Sequence, residues 1–192
     1  MARVKDPSKI DRLFDAALRH VLETGYAGLK MAEVAKEAGV ATGTIYTYFD
    51  GKADLINQLY RYLKQQKMAA IMKEHDTDAP LPQQIKLLWT NYFRDALGAP
   101  VRNHFIRQYE YSDLLDEESK AMHRAAYVPV YALLEKAKKA GLIRQLPVDT
   151  MTAFLIGGAN EIAHEGFGKQ LNLQEQDIEQ CYQLAWGAIK QV

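Results

Sequence analysis

One cysteine in 192 residues, no excess of either charge and no long apolar run: each shortage closes off a class of protein. Cys181 alone builds neither a disulfide framework nor a multi-cysteine zinc site, which fits a reducing compartment. Twenty-four basic residues stand against 24 acidic ones, so the whole-chain balance points to no polyanion partner. No stretch approaches the roughly 20 apolar residues of a membrane span, and the opening MARVKDPSKI carries charge without an apolar signal segment. A cytoplasmic protein with no membrane partner is expected. Enzymatic signatures are also missing: there is no phosphate loop of the G-x-x-x-x-G-K-[ST] type and no convincingly spaced nucleophile and base, so neither catalysis nor a cofactor is expected.

What is present is helical periodicity. Ile10, Leu13, Phe14, Ala17, Val21 and Leu22 fall on one stripe, opened by Asp6 and Pro7 and ended by Gly25. Short helices are predicted over 31–38, closed by Gly39, and over 42–49, on which Ile45, Tyr48 and Phe49 share one side. A long helix follows over 52–74, with Leu55, Ile56, Leu59, Tyr60 and Leu63 inward. After the break HDTDAPLP, helices are predicted over 82–97, 100–111, 117–140 (with Pro129 as a kink), 149–166 and 173–191. No strand-like alternation of any length occurs, so the fold class is all-α with about nine helices.

The stretch VAKEAGVATGTIYTYFDGKADL spends three glycines around small hydroxyls and aromatics. Glycine inside a helix costs about 1 kcal/mol relative to alanine, so Gly43 needs a reason. Short helix, glycine turn, second short helix is the helix-turn-helix arrangement, whose second helix enters the major groove of DNA. Gly43 and its hydroxyl neighbours then let backbone N–H groups approach a phosphate closely. Thr44 and Tyr46 can donate to phosphates, Lys52 adds a cation, and Thr47 stands where a side chain reaches base edges. The first 56 residues hold eight Lys or Arg against eight Asp or Glu, so nucleic-acid binding requires charge arranged on one face.

GVATGTIYTYFDGKADL, with AALRHVLETGYAGLKMAEVAKEAGV upstream, resembles the signature of the TetR family of bacterial transcriptional regulators over about residues 10–63. The resemblance implies DNA-backbone contacts from Thr44, Tyr46, Tyr48 and Lys52, and positions nearest the bases for Thr42, Gly43 and Thr47. It also implies a helix-turn-helix domain, residues 1–51, followed by a ligand-binding and dimerisation domain, residues 52–192. Lys30 and Ala41 depart from the family pattern, each losing a capping hydroxyl worth about 1 kcal/mol, with Thr42 as the alternative cap for the second. The expected function is a regulator, repressor in sign, that binds a double-stranded DNA operator as a homodimer. A helical interaction or sensor protein without operator binding is the alternative.

The effector is expected to be small and apolar or aromatic, held by Tyr60, Trp89, Tyr92, Phe105, Tyr109, Tyr127 and Phe154, an excess of phenols and indole; the alternative is that these rings simply fill a core. The dimer interface is expected on the last two helices, where Gly158 permits close approach and Ile178, Tyr182, Trp186 and Ile189 form a wide stripe. Glu161, His164 and Glu165 offer half of a carboxylate-bridged metal site; with no second half in the sequence, no metal is expected. His104 and His123 lack ligand-spaced partners, and Cys181 reads as a packed residue.

Overall fold

The computed structural model describes residues 7–169 and 173–191; for Pro7 and residues 165–169 it describes the backbone alone. Its described residues form nine helices: α1 (Pro7–Gly28), α2 (Met31–Glu37), α3 (Thr42–Ile45), α4 (Lys52–Ile71), α5 (Leu81–Gly98), α6 (Pro100–Tyr109), α7 (Glu117–Lys139), α8 (Val148–Lys169) and α9 (Glu175–Ile189). No strand occurs among them; one isolated antiparallel bridge joins Ile143 and Lys190.

The chain divides into two compact units. The first takes the residues up to Lys64 together with Phe105–Ala121. Its core is the set of helical stripes read from the sequence: Leu13, Phe14, Ala17 and Val21 of α1, Val34 and Ala35 of α2, Ile45 and Phe49 around α3, and Leu55, Ile56, Leu59 and Tyr60 of α4. Phe105, Ile106, Tyr109 and Leu115 complete it. Gly25 breaks α1 with φ 67° and ψ 174°, a conformation open to glycine at little cost. Gly39, at φ 67°, ends α2: its N–H donates to the Lys36 carbonyl (3.1 Å) and the Val40 N–H to the Ala35 carbonyl (2.9 Å), which satisfies carbonyls the helix end would otherwise strand.

Several boundaries differ from the periodicity, two of them around α3 and α4. The helix expected over 42–49 stops at Ile45, and Tyr46–Tyr48 form a turn. The Thr47 hydroxyl donates to the Thr44 carbonyl at 2.7 Å, so a local side-chain bond takes up an oxygen on which a longer helix would draw. α4 ends at Ile71 instead of residue 74, and Glu74 adopts a left-handed φ of 59°. At the other end of α4, the Asp54 carboxylate accepts the Asp50 N–H at 2.9 Å, placing negative charge in the positive first turn.

A polar clasp holds α4 to the residues before α7. The Asn57 amide donates to the Leu114 carbonyl (3.0 Å) and its oxygen accepts the Asp116 N–H (2.9 Å). Arg61 donates to both Asp116 carboxylate oxygens and to the Ser119 hydroxyl.

The second unit takes Gln65–His104 and the residues from Met122 on. Ile85, Leu88, Trp89 and Phe93 of α5, Leu134 and Ala137 of α7, Met151, Leu155 and Ala159 of α8, and Ile178, Tyr182 and Ile189 of α9 share its core. The Trp89 ring lies 5.2 Å from Phe93 and 5.6 Å from Tyr182, and its indole N–H donates to the Leu155 carbonyl. Arg102 of α6 binds the buried Asp95 carboxylate of α5, which also accepts from the Asn103 amide at 3.2 Å. No described helix is long and apolar enough to cross a membrane.

Candidate nucleic-acid interface

The turn closed by Gly39 and the short α3 present a row of side chains to solvent. Thr42, Gly43, Tyr46 and Thr47 are exposed and Thr44 half-buried, while Ile45 between them is fully buried and anchors the helix. Tyr46 is 55% exposed, a large apolar ring with no core to fill. Tyr48, expected beside it, is buried: its ring packs in the first core, 6.3 Å from Phe49.

Gly43 separates two explanations of its own presence. A Cβ built there meets nothing within 4 Å, and its φ is not left-handed. Neither backbone nor packing demands glycine. The space it leaves faces outward, where a second molecule would use it.

Lys52 is held, not loose. Its ammonium donates to the Ala27 carbonyl at 3.0 Å and lies 4.4 Å from the centre of the Tyr26 ring. A lysine has three N–H donors, so two remain beyond the Ala27 bond. The sequence pattern gave no sign of this tie, because Ala27 and Lys52 are 25 positions apart. As the departures from the capping pattern imply, Lys30 and Ala41 sit at the starts of α2 and α3 with no side-chain cap bond.

The aromatic residues expected around an effector separate. Tyr60, Phe105 and Tyr109 are buried in the first core, with Phe105 stacked on Tyr109 at 4.6 Å. Burial, then the Glu110 carboxylate, pushes the Tyr60 phenol far above its usual range; Lys64, 3.8 Å from Glu110, is shifted down by burial. Trp89 is in the second core with Tyr92 packed against it, and Tyr127 stands half-buried on α7, 5.8 Å from Tyr131. Phe154 is 60% exposed on the surface of α8.

The residues expected at the dimer interface also separate. Ile178, Tyr182 and Ile189 are buried in the chain's own second core, where Tyr182 is pushed up to about 12 by burial and Glu179. Side chains already enclosed there have little surface left for a partner. Trp186 is half-buried and stacked on Tyr182, and Gly158 is exposed. Among the described residues of these two helices, the large apolar side chains left outward are Phe154 and Leu184, the latter 78% exposed. Among the described residues no three His, Cys, Asp or Glu side chains converge as metal ligands; the Glu165 side chain lies outside them.

The sequence model of bacterial regulatory proteins of the tetR family matches residues 13–59, and that of the tetracyclin repressor-like C-terminal domain matches residues 80–190. The chain belongs to the TetR family. This TetR-family chain is 27% identical to an uncharacterized HTH-type transcriptional regulator of Haemophilus influenzae, over 94% of this chain and 95% of that one. It is 31% identical to the fatty acid metabolism regulator protein of Bacillus subtilis over 44% of each chain. A TetR family transcription regulator from Marinobacter aquaeolei superimposes with a TM-score of 0.86 at 20% identity, over 96% of this chain and 97% of that one. Another solved structure, the regulator FadR of Bacillus subtilis in complex with stearoyl-CoA, has a TM-score of 0.68 at 20% identity, over 92% and 95%. The protein is therefore a DNA-binding transcriptional regulator.

Proposed function

We propose that the protein is a repressor that binds a palindromic operator as a homodimer in the cytoplasm and is released by a small organic effector. The observation that carries this reading is Gly43: a residue that neither the fold nor the backbone requires, at the exposed start of α3. Thr42, Gly43 and Thr47 face the bases in this reading, and Thr44, Tyr46, Lys52 and the hydroxyl edge of Tyr48 face the backbone phosphates. The expected domains are residues 1–51 for DNA binding and 52–192 for ligand binding and dimerisation, and Lys52, the first residue of α4, adds a DNA contact from the second of these. α4, which starts there and extends into the second unit, then serves both.

A single recognition helix reads few bases; two related by a dimer axis read half-sites about 34–36 Å apart. The dimer forms through α8 and α9, with Phe154, Gly158 and Leu184 on the shared face and the exposed edge of Trp186 at its margin. The effector has a substantial apolar body. Support comes from the likeness to a regulator solved with stearoyl-CoA.

Gly43→Ala tests the reading directly. An open-space alanine should leave the melting temperature unchanged or raise it slightly, by up to about 1 kcal/mol of added stability. The same variant should lose operator affinity about tenfold or more. Full operator affinity in a stable Gly43→Ala protein would count against close approach at this surface.

A further inference from the structure

Over the first 56 residues eight basic side chains stand against eight acidic ones, so a phosphate backbone is attracted only where cations lack a counter-charge. Within the first unit, two arginines seven positions apart share one face of α1 and differ in this respect. The Arg19 guanidinium donates to the Glu37 carboxylate of α2 at 2.6 Å, which compensates its charge. Arg12 is exposed, and no described side chain pairs with it. One of its guanidinium nitrogens, Nη1, lies 3.8 Å from the position a Cβ would take on Gly39. Arg12 therefore stands beside the turn that joins α2 to α3.

The carboxylates around Arg12 do not hold it. Asp11, its neighbour in sequence, accepts the Tyr62 hydroxyl of α4 at 2.9 Å. Glu37 is taken by Arg19. Asp15 lies one turn along α1, about 60° around the helix, exposed and not paired with Arg12; an exposed pair at that spacing is weak in any case. Glu33 belongs to the first turn of α2, away from the end that Gly39 closes. Lys36, exposed in the last turn of α2, adds a second cation at that end.

We propose that Arg12 grips a phosphate of the DNA backbone beside the α2–α3 turn, a contact supplied by α1 and additional to those expected of α3 and Lys52. The inference rests on the reading of α3 given above. A guanidinium presents its N–H donors in a planar fork that matches two phosphate oxygens, and a phosphate diester carries no base information, so the contact strengthens binding to every sequence alike.

The test uses the full-length protein and two duplexes of about 30 base pairs, long enough for half-sites one helical turn apart. One has mixed sequence and the other is enriched by the wild type from a randomised pool. Binding is followed by fluorescence anisotropy between about 50 and 200 mM KCl. Arg12→Met should lose about fivefold or more in affinity for both duplexes and lower the slope of log affinity against log salt by about one for each copy of the chain bound. Its melting temperature and base preference should not change, since an exposed side chain on α1 fills no core. Arg12→Lys keeps the charge and should keep the wild-type slope. Lys139→Met removes an exposed lysine from the last turn of α7 and should also leave the slope unchanged. An equal loss of slope in Lys139→Met would reduce the effect to net charge and overturn the contact. Wild-type slope and affinity in Arg12→Met would overturn it too, as would an altered base preference, which would put Arg12 on base edges. Gly43→Ala separates this contact from the reading beneath it. Lost affinity in Gly43→Ala with none lost in Arg12→Met defeats the contact alone; undiminished affinity in both defeats the reading of α3 as well.

Discussion

Arg61 and Asp116, 55 positions apart, are joined by one guanidinium nitrogen that donates to both carboxylate oxygens, at 3.1 and 2.9 Å. Asp116 also accepts the Ser119 N–H at 2.7 Å and so caps α7. One carboxylate thus fixes where α7 begins and how the residues before it lie on α4. Asp116→Ala should lower stability by about 1–2 kcal/mol, read as a shift in the urea midpoint, because it removes the cap and leaves the largely buried Arg61 with only the exposed Glu118 carboxylate, 3.3 Å away, and the Ser119 hydroxyl.

The same carboxylate predicts an acid dependence. Partial burial pushes its pKa up, but the Ser119 N–H, the Ser119 hydroxyl and the Arg61 guanidinium outweigh that and hold it below the usual carboxylate range. A folded-state pKa below the unfolded one contributes stability above the unfolded value, and that contribution fades as pH falls through the folded value. Urea midpoints measured from about pH 6 down to about pH 3 should therefore fall less steeply for Asp116→Ala than for the wild type.

Lys52 should reveal two roles in two measurements. Lys52→Met keeps the hydrocarbon stem over Tyr26 and loses the bond to the Ala27 carbonyl, at a stability cost of about 1 kcal/mol. In operator binding it should reduce the slope of log affinity against log salt by about one per lysine removed, with no change in sequence preference. Tyr46→Ala should weaken all sequences alike and leave the fold intact, since its ring fills no core. A salt slope identical to wild type would remove Lys52 from the phosphate contacts.

On α8 and α9, burial distinguishes partner contacts from internal ones. Leu184→Glu or Phe154→Glu, at 78% and 60% exposed positions, should yield monomers in light scattering with little loss of melting temperature. Trp186→Glu should lower the melting temperature, because that ring is stacked on Tyr182. A Leu184→Glu, Phe154→Glu double variant that remains dimeric would move the interface elsewhere.

Trp89→Phe should cost about 1–3 kcal/mol in a urea melt, since the Leu155 carbonyl would keep its place beside a ring that no longer donates.

The helical stripes were legible because each fills a core by the same 3.6-residue rule the sequence displays; Leu55, Ile56 and Leu59 are buried as their spacing requires. Gly39 was legible because a positive φ leaves little choice of residue. Periodicity tells that a ring faces inward but not into which core, so Tyr60 and Trp89, grouped in the sequence reading, enter different ones. Nor does it say whether an apolar stripe meets the chain itself or a partner. Tyr182 and Leu184, two positions apart on α9, are 4% and 78% exposed, and packing, such as that of Tyr182 on Trp89 of α5, separates them. The Lys52 tie and the Asp116 clasp were hidden for a different reason: each joins residues distant along the chain, with no local pattern at either end.

Both tryptophans, Trp89 and Trp186, belong to the second unit, and the first contains only phenylalanines and tyrosines. Indole emission consequently watches one half of the molecule while amide circular dichroism watches all of it. Superimposable denaturation curves from the two signals would mean that the halves melt together; an early dichroism loss with the emission unmoved would isolate the melting of the DNA-reading half, with no label added to the protein.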